Sequence, residues 1–219
     1  MAEQTPEKFF CISYQRTGTT SVGKFFRDHA HSVATYQVNR RNGWTESWFR
    51  GDYEAIFDSE DFATHSVFED DPWWCLDFFK VLFHRYPTSK FILFTRDADR
   101  WFDSMVRHSA GRTLGNTYVH SRLYRREADF EALPEDQKAT SMYSPKLDSL
   151  LPLAETHRAH YVDVYNARND DIGAFFERFG PDRLFRGTLE DEDKWLKLGQ
   201  FAGIDVNADY DSHEHKAKS

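Results

Sequence analysis

Apolar positions along the chain switch repeatedly between short solid runs and helical spacing. The run FFCISY over residues 9–14 predicts a buried strand. Val22, Phe25, Phe26 and His29 then fall at i, i+3, i+4 and i+7, which predicts a helix over 19–30 with one face on a core. The alternation continues with a short strand near 32–36, a helix over 52–59, a strand over 63–69, a helix over 73–85, a strand over 90–95 and a helix over 98–109. Such alternation implies a three-layer α/β fold, a central parallel sheet flanked by helices. Farther on, Tyr161, Val164, Tyr165, Ile172, Phe175, Phe176 and Phe179 keep helical spacing within residues 153–179, and Gly180-Pro181 ends it. Residues 184–188 predict a last strand and 193–203 a closing helix. The loop-rich stretch 111–145 reads as an active-site flap, because too little chain follows it to build a second core. One domain is therefore expected over 1–219, with its core at about 9–203 and a tail, 207–219, polar enough to fray.

The junction of the first strand and helix carries the densest candidate chemistry. Gln15-Arg16-Thr17-Gly18-Thr19-Thr20-Ser21 is a glycine and hydroxyl turn that opens directly into the helix. The first helical turn leaves backbone N–H groups without partners at the positive end of the macrodipole, so an oxyanion there is favoured twice. Gly18 allows close approach, the hydroxyls of Thr17, Thr19, Thr20 and Ser21 add donors, and Arg16 adds a planar charged fork. Gly18 to Lys24 also comes close to a nucleoside-triphosphate loop, G-x-x-x-x-G-K-[ST], but Phe25 stands where the magnesium-binding hydroxyl belongs. What the segment resembles is the 5′-phosphosulfate loop of the P-loop sulfotransferases: a basic residue, a small hydroxyl residue, then Gly-Thr-Thr. Gln15 stands where that family usually has proline.

A second match follows in the expected order. The strand over 91–95 ends in Arg96, and Ser104 lies eight residues later in the next helix. This spacing is similar to the family's 3′-phosphate site, in which the arginine grips the phosphate and the serine donates from the helix. The competing reading is a surface ion pair between Arg96 and Asp97, with Ser104 a solvated helix residue. A third match lies between the first two, where Glu69, Asp70 and Asp71 cluster at a strand end and Pro72 is placed to open a helix. The segment looks like a sulfotransferase subgroup in which an aspartate one residue short of the proline acts as base toward the acceptor, and that rule selects Asp70. Its neighbours are the fallback for that role, Asp71 before Glu69, although extended alternation would turn the side chain of Asp71 the opposite way; Asp71 is also a candidate contact for the acceptor. The plainer alternative is that all three carboxylates cap the helix and complement its dipole. His65 is the histidine nearest this strand end.

The resemblance, over most of 9–203, implies a PAPS-dependent sulfotransferase. It would move the sulfuryl group of 3′-phosphoadenosine 5′-phosphosulfate (PAPS) to a hydroxyl or amine of a small-molecule or carbohydrate acceptor. Arg16 and residues 17–21 would hold the donor with Arg96 and Ser104, Asp70 would take the proton, and no metal would be needed. The family's late Arg-Lys-Gly loop is absent from the sequence. The other classes left open are a P-loop kinase and a non-catalytic nucleotide binder.

Composition narrows the partners. A formal charge of -8 argues against nucleic acid as partner. The basic cluster Arg107, His108, Arg112, His120, Arg122, Arg125 and Arg126 is either a solvated helical face or, through Arg112 beside Gly111, a closure over an anionic nucleotide. Trp44 and Trp48, within the aromatic and arginine stretch 36–53, either stack on an acceptor or form a hydrophobic flap on the core. Two cysteines, Cys11 and Cys75, suggest buried thiols in a reducing compartment. With no signal-peptide layout and no apolar stretch of roughly 18 residues, a cytoplasmic protein off the membrane is expected.

Overall fold

Neighbouring residues of a strand face opposite sides of a sheet, and here both sides are apolar. The computed structural model describes residues 7–108, 118–132, 134–135 and 153–212. Its strands are β1 (Phe9–Cys11), β2 (Val33–Ala34), β3 (Val67–Phe68), β4 (Lys90–Thr95) and β5 (Leu184–Thr188). All pairings are parallel, in the order β2-β3-β1-β4-β5. The chain is thus an α/β protein with its order reversing around the central β1, and the carboxyl ends of β1, β3 and β4 meet at that switch point.

Phe9 and Cys11 of β1, Val67 of β3 and Ile92 and Phe94 of β4 face one layer, built by α1 (Thr19–Asp28) and the closing helix. Val22, Phe25 and Phe26 of α1 are fully buried there, as their spacing predicts, and Phe25 stacks on Trp195. The opposite layer is a nest of aromatic rings around Phe10, Phe62, Phe68 and Trp73. Rings of this size supply most of the burial that holds the sheet.

Several element boundaries differ from the sequence pattern. Residues 36–50 form two helices, α2 (Tyr36–Asn42) and α3 (Trp44–Arg50), separated by Gly43 with φ of 65°. The helix expected over 52–59 is α4 (Tyr53–Phe57). The strand expected from residue 63 is preceded by α5 (Glu60–Thr64), capped by Ser59. Helix α6 starts only at Phe78 and ends at Arg85, so Pro72 opens a turn and not the helix.

The chain divides into two compact units, one running to Arg96 and resuming at Phe176, the other from Asp97 to Phe175. The second contains α7 (Ala98–Arg107), α8 (Tyr118–Leu123), α9 (Glu127–Glu131) and the start of α10 (Arg158–Phe179). Within it Trp101 stacks on Tyr165 at 4.4 Å, and Tyr124 on Tyr161 at 5.0 Å. The closing helix, α11 (Lys194–Ala202), belongs to the first unit.

The start of the tail is docked, not frayed. The Tyr210 hydroxyl donates to Asp28 at 2.8 Å and its ring packs on Phe25, while the Ser212 hydroxyl donates to the Ser21 carbonyl at 3.0 Å. Helix α1 is also seated closely over β3. A Cβ placed on Gly23 would lie 1.9 Å from Oε2 of Glu69. Gly23→Ala is therefore expected to destabilise the fold by about 1–3 kcal/mol despite alanine's better helix propensity, read from urea unfolding.

Candidate functional site

The loop after β1 is shaped by its own backbone. The Thr17 hydroxyl and N–H both donate to the Tyr14 carbonyl, so this side chain, wholly buried, closes the turn. Gly18 follows with φ of 84°, and a Cβ there would come within 2.7 Å of Leu189. Only glycine gives both that backbone and that clearance. The first helical bond runs from the Val22 N–H to the Gly18 carbonyl at 3.0 Å, so the N–H groups of Thr19, Thr20 and Ser21 precede it. Thr19 and Ser21 are buried and Thr20 half-buried. Arg16 is held at φ of 67°, in the left-handed region that non-glycine residues enter at a cost of about 1–2 kcal/mol.

Arg96, at the end of β4, reaches the same loop. Its guanidinium donates to the Arg16 carbonyl at 3.4 Å, bringing two arginines to one sheet edge. The nucleoside-triphosphate register has no such support, because Gly23 and Lys24 lie inside α1. The Lys24 ammonium is paired with Asp28 on the exposed face, and Phe25 is in the core.

At the end of β3 the three carboxylates separate. Glu69 continues the Val67 face and is buried under α1 beside Gly23, with Arg27 3.8 Å away. Asp70 then takes φ of 69°, which breaks the extended alternation, and a cis peptide joins Asp71 to Pro72. Asp71, only 6% exposed, turns toward α2 and α3 and accepts from the Thr45 hydroxyl at 2.6 Å and the Asn39 amide at 3.2 Å. Asp70 is half-buried, and its Oδ1 accepts the Asp71 N–H at 2.9 Å. Burial, and then the neighbouring Asp71 charge, push its carboxyl up to about 7, against hydrogen bonds from the Asp71 N–H and Trp74. Tyr36 shares this corner: burial and the charge of Asp71 raise its phenol. A carboxyl poised near neutrality at a sheet edge is chemically suited to accept a proton. His65 is not at this edge; it precedes β3, where its Nδ1 lies 2.6 Å from the Asp61 carbonyl.

The family profile described as a sulfotransferase domain matches residues 8–218. The chain belongs to the sulfotransferase family. No curated protein matched it.

Other residues of this sulfotransferase singled out by sequence fall as follows. Trp44 is 0% exposed, packs edge-on against Trp73 and donates its indole N–H to Ser59 at 3.2 Å. Trp48 is 8% exposed, so both tryptophans are core rings of α3 and the hydrophobic alternative accounts for them. Ser104 is buried on α7, in the second unit. Of the basic cluster, Arg126 is buried against Asp129 and Tyr161, while Arg122 and Arg125 are exposed. Arg112 lies outside the described residues. Cys11 and Cys75 are both buried free thiols, and burial pushes Cys11 up to about 12. No described helix is long and apolar enough to cross a membrane. Among the described residues no group of three or more His, Cys, Asp or Glu could hold a metal ion.

Sequence reasoning missed Asn39, Thr45 and Tyr36. Their polar side chains meet the acidic turn from helices that the apolar pattern did not predict.

Proposed function

We propose that this sulfotransferase takes its sulfuryl group from PAPS and delivers it to a hydroxyl or amine of a small-molecule or glycan acceptor, with Asp70 as base. The observation that carries this reading is the glycine turn at Gly18, with Arg16 beside it and Arg96 reaching it, at the same sheet edge as the Asp70 carboxyl. Tyr14, at the start of the cradle, packs on Trp74 at 5.5 Å, and Trp74 in turn hydrogen-bonds Asp70. The donor's charged groups fit what is there: a backbone-lined turn at Gly18, the first turn of α1, Arg16 on the loop and Arg96 reaching it from the end of β4. In this reading the N–H groups of Thr19 to Ser21 and the Arg16 side chain meet the negative charge that grows as the bridging S–O bond breaks. Asp70 accepts the acceptor's proton as the new bond to sulfur forms in line, so the products are the sulfated acceptor and the 3′,5′-bisphosphate. Arg96 and Ser104 are assigned to the 3′-phosphate by their spacing in the family motif, and Thr17 keeps the turn in shape. The buried free thiols support a reducing, cytoplasmic setting.

Thermal shift tests the donor assignment. 3′-Phosphoadenosine 5′-phosphate should raise the melting temperature far more than AMP or ATP with magnesium, by mass action on the native state. Arg96→Ala should erase the advantage over AMP. Equal shifts for AMP and the bisphosphate in the parent would remove the 3′-phosphate assignment.

A further inference from the structure

The turn after β3 places two aspartates side by side and treats them differently. Asp71 has both oxygens held: the Thr45 hydroxyl donates to one and the Asn39 amide to the other. The clamp is itself braced, because the Asn39 side-chain Oδ1 accepts the Thr45 N–H at 3.1 Å and the Asn39 side-chain amide donates to the Thr45 hydroxyl at 2.8 Å. All three side chains are buried. The Asp70 Oδ1 accepts the Asp71 N–H, so the position of Asp71 bears directly on that of Asp70.

We propose that Asp71 is the positioning residue of this site: clamped by Thr45 and Asn39, it fixes the turn that presents Asp70 and keeps a second negative charge beside it. This rests on the reading of Asp70 as base. Two neighbouring carboxylates with unequal environments divide the work, one clamped and structural, the other exchanging its proton near neutrality. Burial and the Asp71 charge are the two largest causes of the rise at Asp70, which supports the geometry. The other titratable groups at this corner are the Tyr36 phenol from α2, with Arg40 nearby, the Cys11 thiol from β1 and Glu69 on the turn itself. Asp71 is therefore a second layer behind the reacting groups, not a contact for substrate.

The test is a carbon-13 NMR titration of aspartate carboxyls in the ligand-free full-length protein, which needs no acceptor. The parent should show one aspartate titrating near neutral pH, and Asp70→Asn should remove that signal. Asp71→Asn, with folding checked by near-ultraviolet circular dichroism, should move it down by about one pH unit or more as the like charge disappears. Thr45→Val should move it upward, because the doubly charged pair loses a donor, and Thr45→Ser should restore it. If Asp71→Asn does not fold, the Thr45 variants decide. A neutral titration that disappears in Asp70→Asn but stays in place in Asp71→Asn and Thr45→Val overturns the positioning role and leaves Asp70 as base. Sulfuryl transfer to a phenol panel that is unchanged in Asp70→Asn overturns the base itself.

Discussion

Asp70→Asn is expected to lower the rate of sulfuryl transfer by about a hundredfold or more while leaving affinity for 3′-phosphoadenosine 5′-phosphate nearly intact. The separation follows from where the two functions sit. Anion binding is assigned to the turn after β1, whose shape depends on Thr17, Gly18 and the Val22 N–H. Proton transfer is assigned to a carboxyl at the end of β3, whose Oδ1 accepts the Asp71 N–H, a bond that an asparagine carbonyl can accept equally well. The substitution removes basicity while keeping that bond. Single-turnover transfer to a panel of phenols and amines, measured beside bisphosphate binding, separates the two quantities. Equal rates in variant and parent would take the base role from Asp70, and a matching fall in bisphosphate affinity would show that the turn and the cradle act as one unit. Asp71→Asn does not serve as a silent control, because its carboxylate is bound to Thr45 and Asn39 and faces Asp70.

The elements nearest the site were the most legible in the sequence, and the reason is physical. A fully buried parallel strand must be apolar on both faces, so β1 and β4 appear as solid runs. A helix seated by one face must show the spacing of Val22, Phe25 and Phe26. The positions of Gly18 and Arg96 follow from those elements. Tertiary packing overrode the local signal elsewhere. Residues 36–50 carry charges between their aromatics, which leaves an acceptor-stacking surface and a hydrophobic flap equally open; Trp44 turns inward against Phe68 and Trp73 and Trp48 is buried, while Arg41 and Arg50 pair outward with Asp61 and Glu46. Pro72 suggested a helix start, but the left-handed backbone at Asp70 and the turns that follow delay α6 to Phe78. The clamp on Asp71 was invisible for a different reason. Its partners come from 26 and 32 residues away, and no local pattern encodes a contact of that range. The tail behaved similarly: its polarity predicted fraying, whereas two side chains, Tyr210 and Ser212, anchor its beginning to α1.

The same substitution that removes the base should stabilise the fold above neutral pH. The Asp70 carboxyl is raised from 3.8 to about 7 in the folded protein, so between those values the folded state binds more protons than the unfolded one. The parent's stability from this group is therefore lost as pH rises through that window; the penalty is complete above about pH 7 and absent below the unfolded value. Asparagine carries no such penalty. The stability of Asp70→Asn minus that of the parent should widen from about pH 4 to pH 7 and then level off, reaching a few kcal/mol by pH 8. Urea unfolding of both proteins at several pH values measures the gap, and titrations common to both cancel in the difference. One such is Lys8, whose burial lowers its ammonium to about 8, above the window concerned. A gap that does not change with pH would show that Asp70 is not held near neutrality, and a variant less stable than the parent at pH 8 would make its carboxylate a structural acceptor. Loss of rate joined to a pH-dependent gain in stability distinguishes a residue kept for chemistry from one kept for the fold, because a structural carboxylate would lose both together.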